Sequence, residues 1–160
     1  MKNTLVVYFS HSGNTRTLAN QIRSIVGGDI FEIEPENPYP ADYDAAVKAA
    51  KQEKESGARP GLKAKIKDIG KYDTVFIGYP MWWGTMPMPV HTFLSGYDFS
   101  KKTIVPFCTH GGSGLGHSVE DIKKLCPQST VLEGLAVSDS DLKNDSDALN
   151  GWLRKLKMMV

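Results

Sequence analysis

The run Leu5-Val6-Val7-Tyr8-Phe9 passes directly into Ser10-His11-Ser12-Gly13-Asn14-Thr15-Arg16-Thr17, and this junction constrains the fold more than any other stretch. A continuous apolar run rich in β-branched and aromatic residues reads as a strand buried on both faces. Past the small polar residues, Leu18, Ile22, Ile25 and Val26 recur at i, i+4, i+7 and i+8, which predicts a helix opening at Asn14 or Thr15. Strand, hydroxyl-rich loop and helix start together present unpaired N–H groups and the positive end of a helix dipole. Such a pocket suits a phosphate, with the Ser10, Ser12 and Thr15 hydroxyls and the Asn14 amide as further donors. Residues 10–15 include no lysine and no carboxylate. That argues against a nucleoside triphosphate with Mg²⁺ and for a single monoester phosphate. The alternative role for the same Ser and Asn residues is to cap the helix.

The rest of the chain repeats the strand-then-helix pattern. Gly27-Gly28 stops the first helix, and Asp29 to Glu34 alternates as a second strand before Pro35, Pro38 and Pro40 bar regular structure. Ala41 to Ser56 reads as a solvated helix with Tyr43 and Val47 as its inner edge, and Lys63 to Tyr72 as a short helix or loop. Thr74 to Tyr79 is a third buried strand, followed by a Met- and Pro-rich loop and a helix from Val90 to Tyr97. Thr103 to Thr109 is a fourth strand despite Pro106, which fits best at a bulge or near an edge. Ser118 to Leu125 is a helix with Val119, Ile122 and Leu125 inward, and Thr130 to Val137 a fifth strand interrupted by Gly134. Ser138 to Asp141 carries capping residues, and Leu149, Trp152, Leu153 and Leu156 stripe a final helix.

Buried strands alternating with helices imply an α/β fold, a doubly wound five-stranded parallel sheet of order 2-1-3-4-5 with helices on both faces. Residues 1–160 form a single domain on this reading, long enough to build a core without disulfides or metal. In such a sheet, ligands sit at the C-terminal strand ends where the winding reverses. Three loops converge there, spanning Ser10 to Thr15, Pro80 to Pro87, and Thr109 to Gly116.

Charge narrows the partners. Nineteen Lys and Arg against eighteen Asp and Glu leave a net charge of +1, and no basic run interleaves with aromatics, so nucleic acid is excluded. Two cysteines are too few for a disulfide scaffold, no apolar stretch approaches a membrane span, and the apolar N-terminal run is too short for a signal peptide. The expectation is a cytoplasmic protein with no membrane partner.

In the second loop, Pro80-Met81-Trp82-Trp83-Gly84 places two tryptophans at a strand end, where a large apolar side chain is costly unless something covers it. A flat aromatic ligand does so, with one tryptophan stacked on it and the other folded into the core. Gly84 is the loop residue able to adopt positive φ without steric cost. The third loop, Thr109-His110-Gly111-Gly112-Ser113-Gly114-Leu115-Gly116, nearly matches a P-loop, but His117 stands where the essential lysine belongs. It has neither dinucleotide GxGxxG spacing nor the GxSxG frame of a hydrolase. What remains is a backbone-rich edge able to hydrogen-bond a heterocycle, with His110 as an added donor or a solvated turn residue. Cys108 and Cys126 read as small buried hydrophobes, and no His, Cys or Asp spacing points to a metal.

A monoester phosphate, a flat ring and a polar ring edge together describe FMN, and over its whole length the chain resembles the flavodoxins. The most specific motif is the Ser10-to-Thr15 loop; the Pro80-to-Pro87 and Thr109-to-Gly114 loops resemble a bacterial flavodoxin-like subset. The resemblance implies that Ser10, Ser12, Asn14 and Thr15, with backbone of His11 and Gly13, hold the phosphate. It places Pro80, Met81, Trp82, Trp83 and Gly84 beside the isoalloxazine, and Thr109, His110, Gly111, Gly112 and Ser113 at its pyrimidine edge. It also implies a redox role with no catalytic side chain of its own. Electron-carrying flavodoxins are strongly acidic and carry an aromatic after strand four; this chain has neither feature. The expected function is an electron carrier between a reductase and an acceptor protein. The alternative is an FMN-dependent oxidoreductase taking hydride from NAD(P)H and reducing a quinone or similar small acceptor. A phospho-receiver on the same fold needs carboxylates at the ends of strands one and three, where this chain has Phe9-Ser10 and Tyr79-Pro80.

Overall fold

The computed structural model describes residues 3–142 and 146–156. Its strands are β1 (Thr4–Tyr8), β2 (Asp29–Glu32), β3 (Thr74–Pro80), β4 (Thr103–His110), β5 (Thr130–Val131) and β6 (Leu135–Ser138). Its helices are α1 (Asn14–Val26), α2 (Tyr43–Ser56), α3 (Met88–Ser95), α4 (Ser118–Leu125) and α5 (Ser146–Lys155). The sheet runs β2-β1-β3-β4, and β5 and β6 follow one another along the outer edge of β4, so the order is 2-1-3-4-5 with the fifth strand in two pieces. Every paired strand is parallel.

Alternation along β1 explains why the sheet is covered twice. Leu5 and Val7 point into one core with Val75, Ile77, Ala46, Val90 and Ile122, beneath α2, α3 and α4. Val6 and Tyr8 point into the other with Phe76, Val105, Leu18, Ile22 and Trp152, beneath α1 and α5. Successive side chains of a strand face opposite ways, so a strand clamped between two helical layers must be apolar throughout. Past Thr4 the sequence is apolar along β1, as it is along much of β3, whereas the edge strand β2 is only half-buried.

Several expected boundaries move. β2 ends at Glu32 rather than Glu34, short of Pro35, which pairs in an isolated antiparallel bridge with Leu62. α2 begins at Tyr43 rather than Ala41, because the Asp42 carboxylate accepts from the Ala45 amide (2.9 Å) and caps it there. Its inner edge is Ala46 and Ala50, not Tyr43 and Val47: small side chains let this helix sit close on the sheet, which turns Tyr43 out to 58% exposure. The segment 63–72 has one turn of 3-10 helix, Ile69–Lys71. α3 starts two residues early, at Met88, with Pro89 in its first turn, where a missing N–H costs nothing. Val119 is only half-buried, while Ile122 is buried. The turn around Ser138 to Asp141 precedes residues 143–145, which lie outside the described residues, so it caps no described helix end.

Pro106 sits inside β4, opposite Ile77 of β3. The carbonyls of Lys102, Ile104 and His110 all bond outward, to Thr130, Leu132 and Asp139, so the even residues of β4 face the fifth strand. Pro106 falls where that strand is interrupted between β5 and β6, and its missing N–H therefore breaks no ladder.

Candidate functional site

Four loops leave the C-terminal end of the sheet, and backbone hydrogen bonds stitch them together. The Met81 amide donates to Thr109 O (2.9 Å), His117 N to Gly84 O (2.7 Å), and Asp139 N to His110 O (2.7 Å). A Cβ on Gly116 would stand 2.4 Å from Gly84 O, so only glycine lets the loop after β4 approach the loop after β3 this closely.

The first loop turns sharply into α1. Ser10 Oγ accepts from Gly13 N (3.1 Å) and Ser12 Oγ from Asn14 N (3.4 Å), while the Thr17 amide bonds Gly13 O. Among the described residues the amides of Thr15 and Arg16 have no acceptor, as the opening turn of a helix dictates. Arg16, the first cation of α1, is paired with Glu32 (2.6 Å), which also accepts from the Tyr8 hydroxyl. Burial, partly offset by the hydrogen bond from Arg16, raises the Tyr8 pKa and keeps the phenol protonated. The start of α1 therefore presents amides and hydroxyls, with no carboxylate in residues 10–15, a donor set that suits an anion.

Thr15 is placed differently from its neighbours. Its hydroxyl shares a buried hydrogen bond with that of Thr109 (2.8 Å), joining the start of α1 to the end of β4. His11 also bridges elements: Nε2 donates to Pro40 O (2.8 Å), and the ring lies edge-on to Trp82 (centroids 5.6 Å).

In the second loop, Trp82 and Thr85 exchange backbone hydrogen bonds around Trp83 and Gly84, whose φ values are +56° and +79°. This is a tight turn of the I′ kind. Gly84 takes positive φ freely, but Trp83 takes it as well, against the expectation that only glycine would do so there; the turn forces it. Trp82 is the core tryptophan, 4% exposed, edge-on to Phe9 (5.7 Å) and Tyr39 (5.2 Å). Trp83 is 43% exposed, but its indole is not free. Nε1 donates to Val47 O of α2 (2.7 Å), Lys51 Nζ stands 5.0 Å from the ring centroid, and Lys54 Nζ donates to Trp83 O (2.8 Å). In the third loop His110 Nδ1 accepts from Gly112 N (2.9 Å), so the neutral ring carries its proton on Nε2. Burial raises the Cys108 pKa to about 12 and that of Cys126 to about 11, so neither supplies a thiolate.

These loops border an open cleft lined by His11, Ser12, Pro80, Met81, Trp82, Thr109, His110 and Gly111, together with Tyr43 and Asp139. Of the residues singled out from sequence, these first eight are brought together. Gly13, Asn14 and Thr15 form the helix start beside them, and Ser10 lines an adjoining hollow with Phe9, Glu32 and Tyr39. Trp83 and Gly84 lie outside the lining, as do Gly112 and Ser113, which continue the exposed rim. Tyr43 and Asp139 were not foreseen. Asp139 follows the last strand, where the fold itself directs attention; Tyr43 carried no signal, because it read as a core-facing helix residue.

A family model described as flavodoxin matches residues 3–156. The chain belongs to the flavodoxin family. Among solved structures, a Bacteroides eggerthii DSM 20697 protein is 37% identical, with 96% of this chain and 97% of that one covered and a TM-score of 0.84. A Bacteroides uniformis ATCC 8492 protein is 29% identical over 96% and 98% of the two chains, TM-score 0.85. A flavoprotein from Lactobacillus acidophilus NCFM, solved in complex with FMN, is 26% identical over 89% and 97%, TM-score 0.73. No curated protein matches the chain. In this flavodoxin-family chain no described helix is long and apolar enough to cross a membrane, and no described cluster of His, Cys, Asp and Glu could hold a metal ion.

Proposed function

We propose that this chain binds one FMN and carries electrons between protein partners, a reductase on one side and an acceptor on the other. One observation carries the reading: the unpartnered Thr15 and Arg16 amides and an open cleft lined by Met81 and Trp82 lie at the same sheet end, where the winding reverses between β1 and β3. The residues fit the group. The α1 start, with Ser10, Ser12 and Asn14, offers donors to a phosphate dianion, and Thr109 to Gly111 offers amides and carbonyls to a heterocycle edge. FMN, when bound, supplies reversible electron transfer; the chain's part is to hold the phosphate, cover the ring and leave one edge near solvent. The Lactobacillus relative solved with FMN supports this assignment. Family resemblance and a small domain favour the carrier role.

A second reading is an FMN-dependent NAD(P)H oxidoreductase acting on a quinone or similar acceptor. It is favoured by the near-neutral charge, +1, which removes the acidic surface that usually steers a carrier to basic partners. Titration of flavin-free protein with FMN and riboflavin tests the first claim. Charge-assisted phosphate hydrogen bonds contribute about 1.5–3 kcal/mol each, so FMN is expected to bind at least about 100-fold tighter; equal affinities would sink the anion site. Anaerobic stopped-flow mixing with NADH and NADPH then separates the readings. A carrier shows no flavin bleaching within seconds, whereas rapid saturable bleaching, with reoxidation by a quinone, assigns the enzyme.

A further inference from the structure

Tyr43 opens α2 at the mouth of the cleft. Of the chain's six tyrosines it is the exposed one, and its hydroxyl has no hydrogen-bond partner among the described residues. Three contacts fix the backbone that carries it. His11 Nε2 holds Pro40 O, the Asp42 carboxylate caps the helix on Ala45 N, and one turn further on Val47 O receives the Trp83 indole N–H. The helix start is thereby tied to both the phosphate-side loop and the loop after β3, while the Tyr43 ring itself remains free to turn about its side-chain bonds.

The loop after β4, which also lines the cleft, offers no comparable apolar surface. It runs His110-Gly111-Gly112-Ser113-Gly114 and contributes one planar side chain to the cleft, the small polar imidazole of His110, whose Nδ1 is tied to the Gly112 amide. Trp83, the other exposed aromatic, is bound to α2 and does not line the cleft. A flat ring lodged in the cleft beside Met81 and Trp82 would thus meet no large apolar side chain from the loop after β4, and Tyr43 is the exposed large aromatic among the lining residues.

We propose that Tyr43 covers such a ring: an aromatic wall, supplied by α2 rather than by the loop after β4, that packs against a flat heteroaromatic ring bound in the cleft. The proposal rests on the FMN reading and assigns to it a binding residue outside the three loops. Offset or edge-on aromatic contact, with the apolar area it removes from water, accounts for the expected effect.

The experiment uses purified full-length protein, its flavin removed, with FMN as the probe. Tyr43→Ala is expected to bind FMN about ten-fold more weakly than wild type, and Tyr43→Phe within about two-fold, because the wall needs a ring and not a hydroxyl. Far-UV circular dichroism confirms that both variants fold; the residue is exposed and the Asp42 cap is untouched. A second readout is independent of affinity. Tetranitromethane should nitrate Tyr43 in the flavin-free protein, and saturating FMN should protect it, as read by peptide mass. Wild-type affinity in Tyr43→Ala together with nitration unaffected by FMN would overturn the wall while leaving FMN binding standing. Failure of the wild type to bind FMN at all would overturn both.

Discussion

The buried pair of hydroxyls between Thr15 and Thr109 gives a sharp test of how the site is held together. The two oxygens lie 2.8 Å apart and the residues are 1% and 2% exposed, so neither hydroxyl has ready access to water. Replacing Thr15 by Val keeps the shape but leaves the Thr109 hydroxyl buried without its partner, which costs about 1–3 kcal/mol. For a domain of this size each kcal/mol corresponds to roughly 2–4 °C in Tm. Thr109→Val should cost a similar amount for the same reason. The double variant removes both polar groups together and should lie near wild type, so the two effects are expected to be strongly non-additive, with a coupling of about 1 kcal/mol or more. Thr4 provides a control of opposite sign. It is 1% exposed, and its Oγ1 is buried with no partner among the described residues, so Thr4→Val should stabilise the protein by about 1 kcal/mol. Urea unfolding of the five proteins gives the comparison. Additive losses in the Thr15 and Thr109 cycle, or destabilisation by Thr4→Val comparable to that of Thr15→Val, would refute the reasoning.

Three other expectations follow from the same geometry. Ser12→Ala should weaken FMN binding by about ten-fold or more while leaving riboflavin binding, where detectable, unchanged, since only the phosphate contact is lost; an equal loss for both flavins would place Ser12 elsewhere. Trp83→Phe removes the indole donor to Val47 O and should lower stability by about 1 kcal/mol, read as a fall in Tm, with α2 less protected in hydrogen exchange; an unchanged melt and exchange pattern would mean the contact is energetically idle. Burial, aided by the positive charge of Arg59, holds the His91 pKa below the ordinary histidine value. The unfolded chain therefore takes up a proton at a higher pH than the native one, so stability present above the unfolded histidine pKa declines as pH falls through it toward the folded value. His91→Gln should flatten that part of the stability–pH curve, and an unaltered slope would show that another group sets it.

The strand-loop-helix at residues 4–26 was legible because local and long-range requirements agree there: a short apolar run rich in β-branched and aromatic residues suits a doubly covered strand, and the small polar turn before a 3.6-residue apolar stripe suits a helix start. Given that unit and its repetition, right-handed crossovers leave few sheet orders, so 2-1-3-4-5 and the convergence of the three loops were readable from spacing alone. Eight of the residues that the flavodoxin resemblance singled out in those loops line one cleft. What the sequence could not decide depends on how closely layers approach. Ala46 and Ala50 bring α2 down onto the sheet and rotate Tyr43 out to the cleft mouth, though periodicity alone favoured the larger Tyr43 and Val47 as the buried edge. The choice between Trp82 and Trp83 is likewise tertiary. The two are adjacent and chemically identical, and only the turn at Trp83–Gly84, with Phe9 and Tyr39 waiting on one side and the Val47 carbonyl on the other, sends one ring inward and the other onto α2. Local sequence determines which segments are strands, helices and ligand-facing loops, because backbone propensity and burial pattern are local. Which side chain of such a loop faces the ligand is decided by packing against elements far away in the chain, and only the folded structure brings those together.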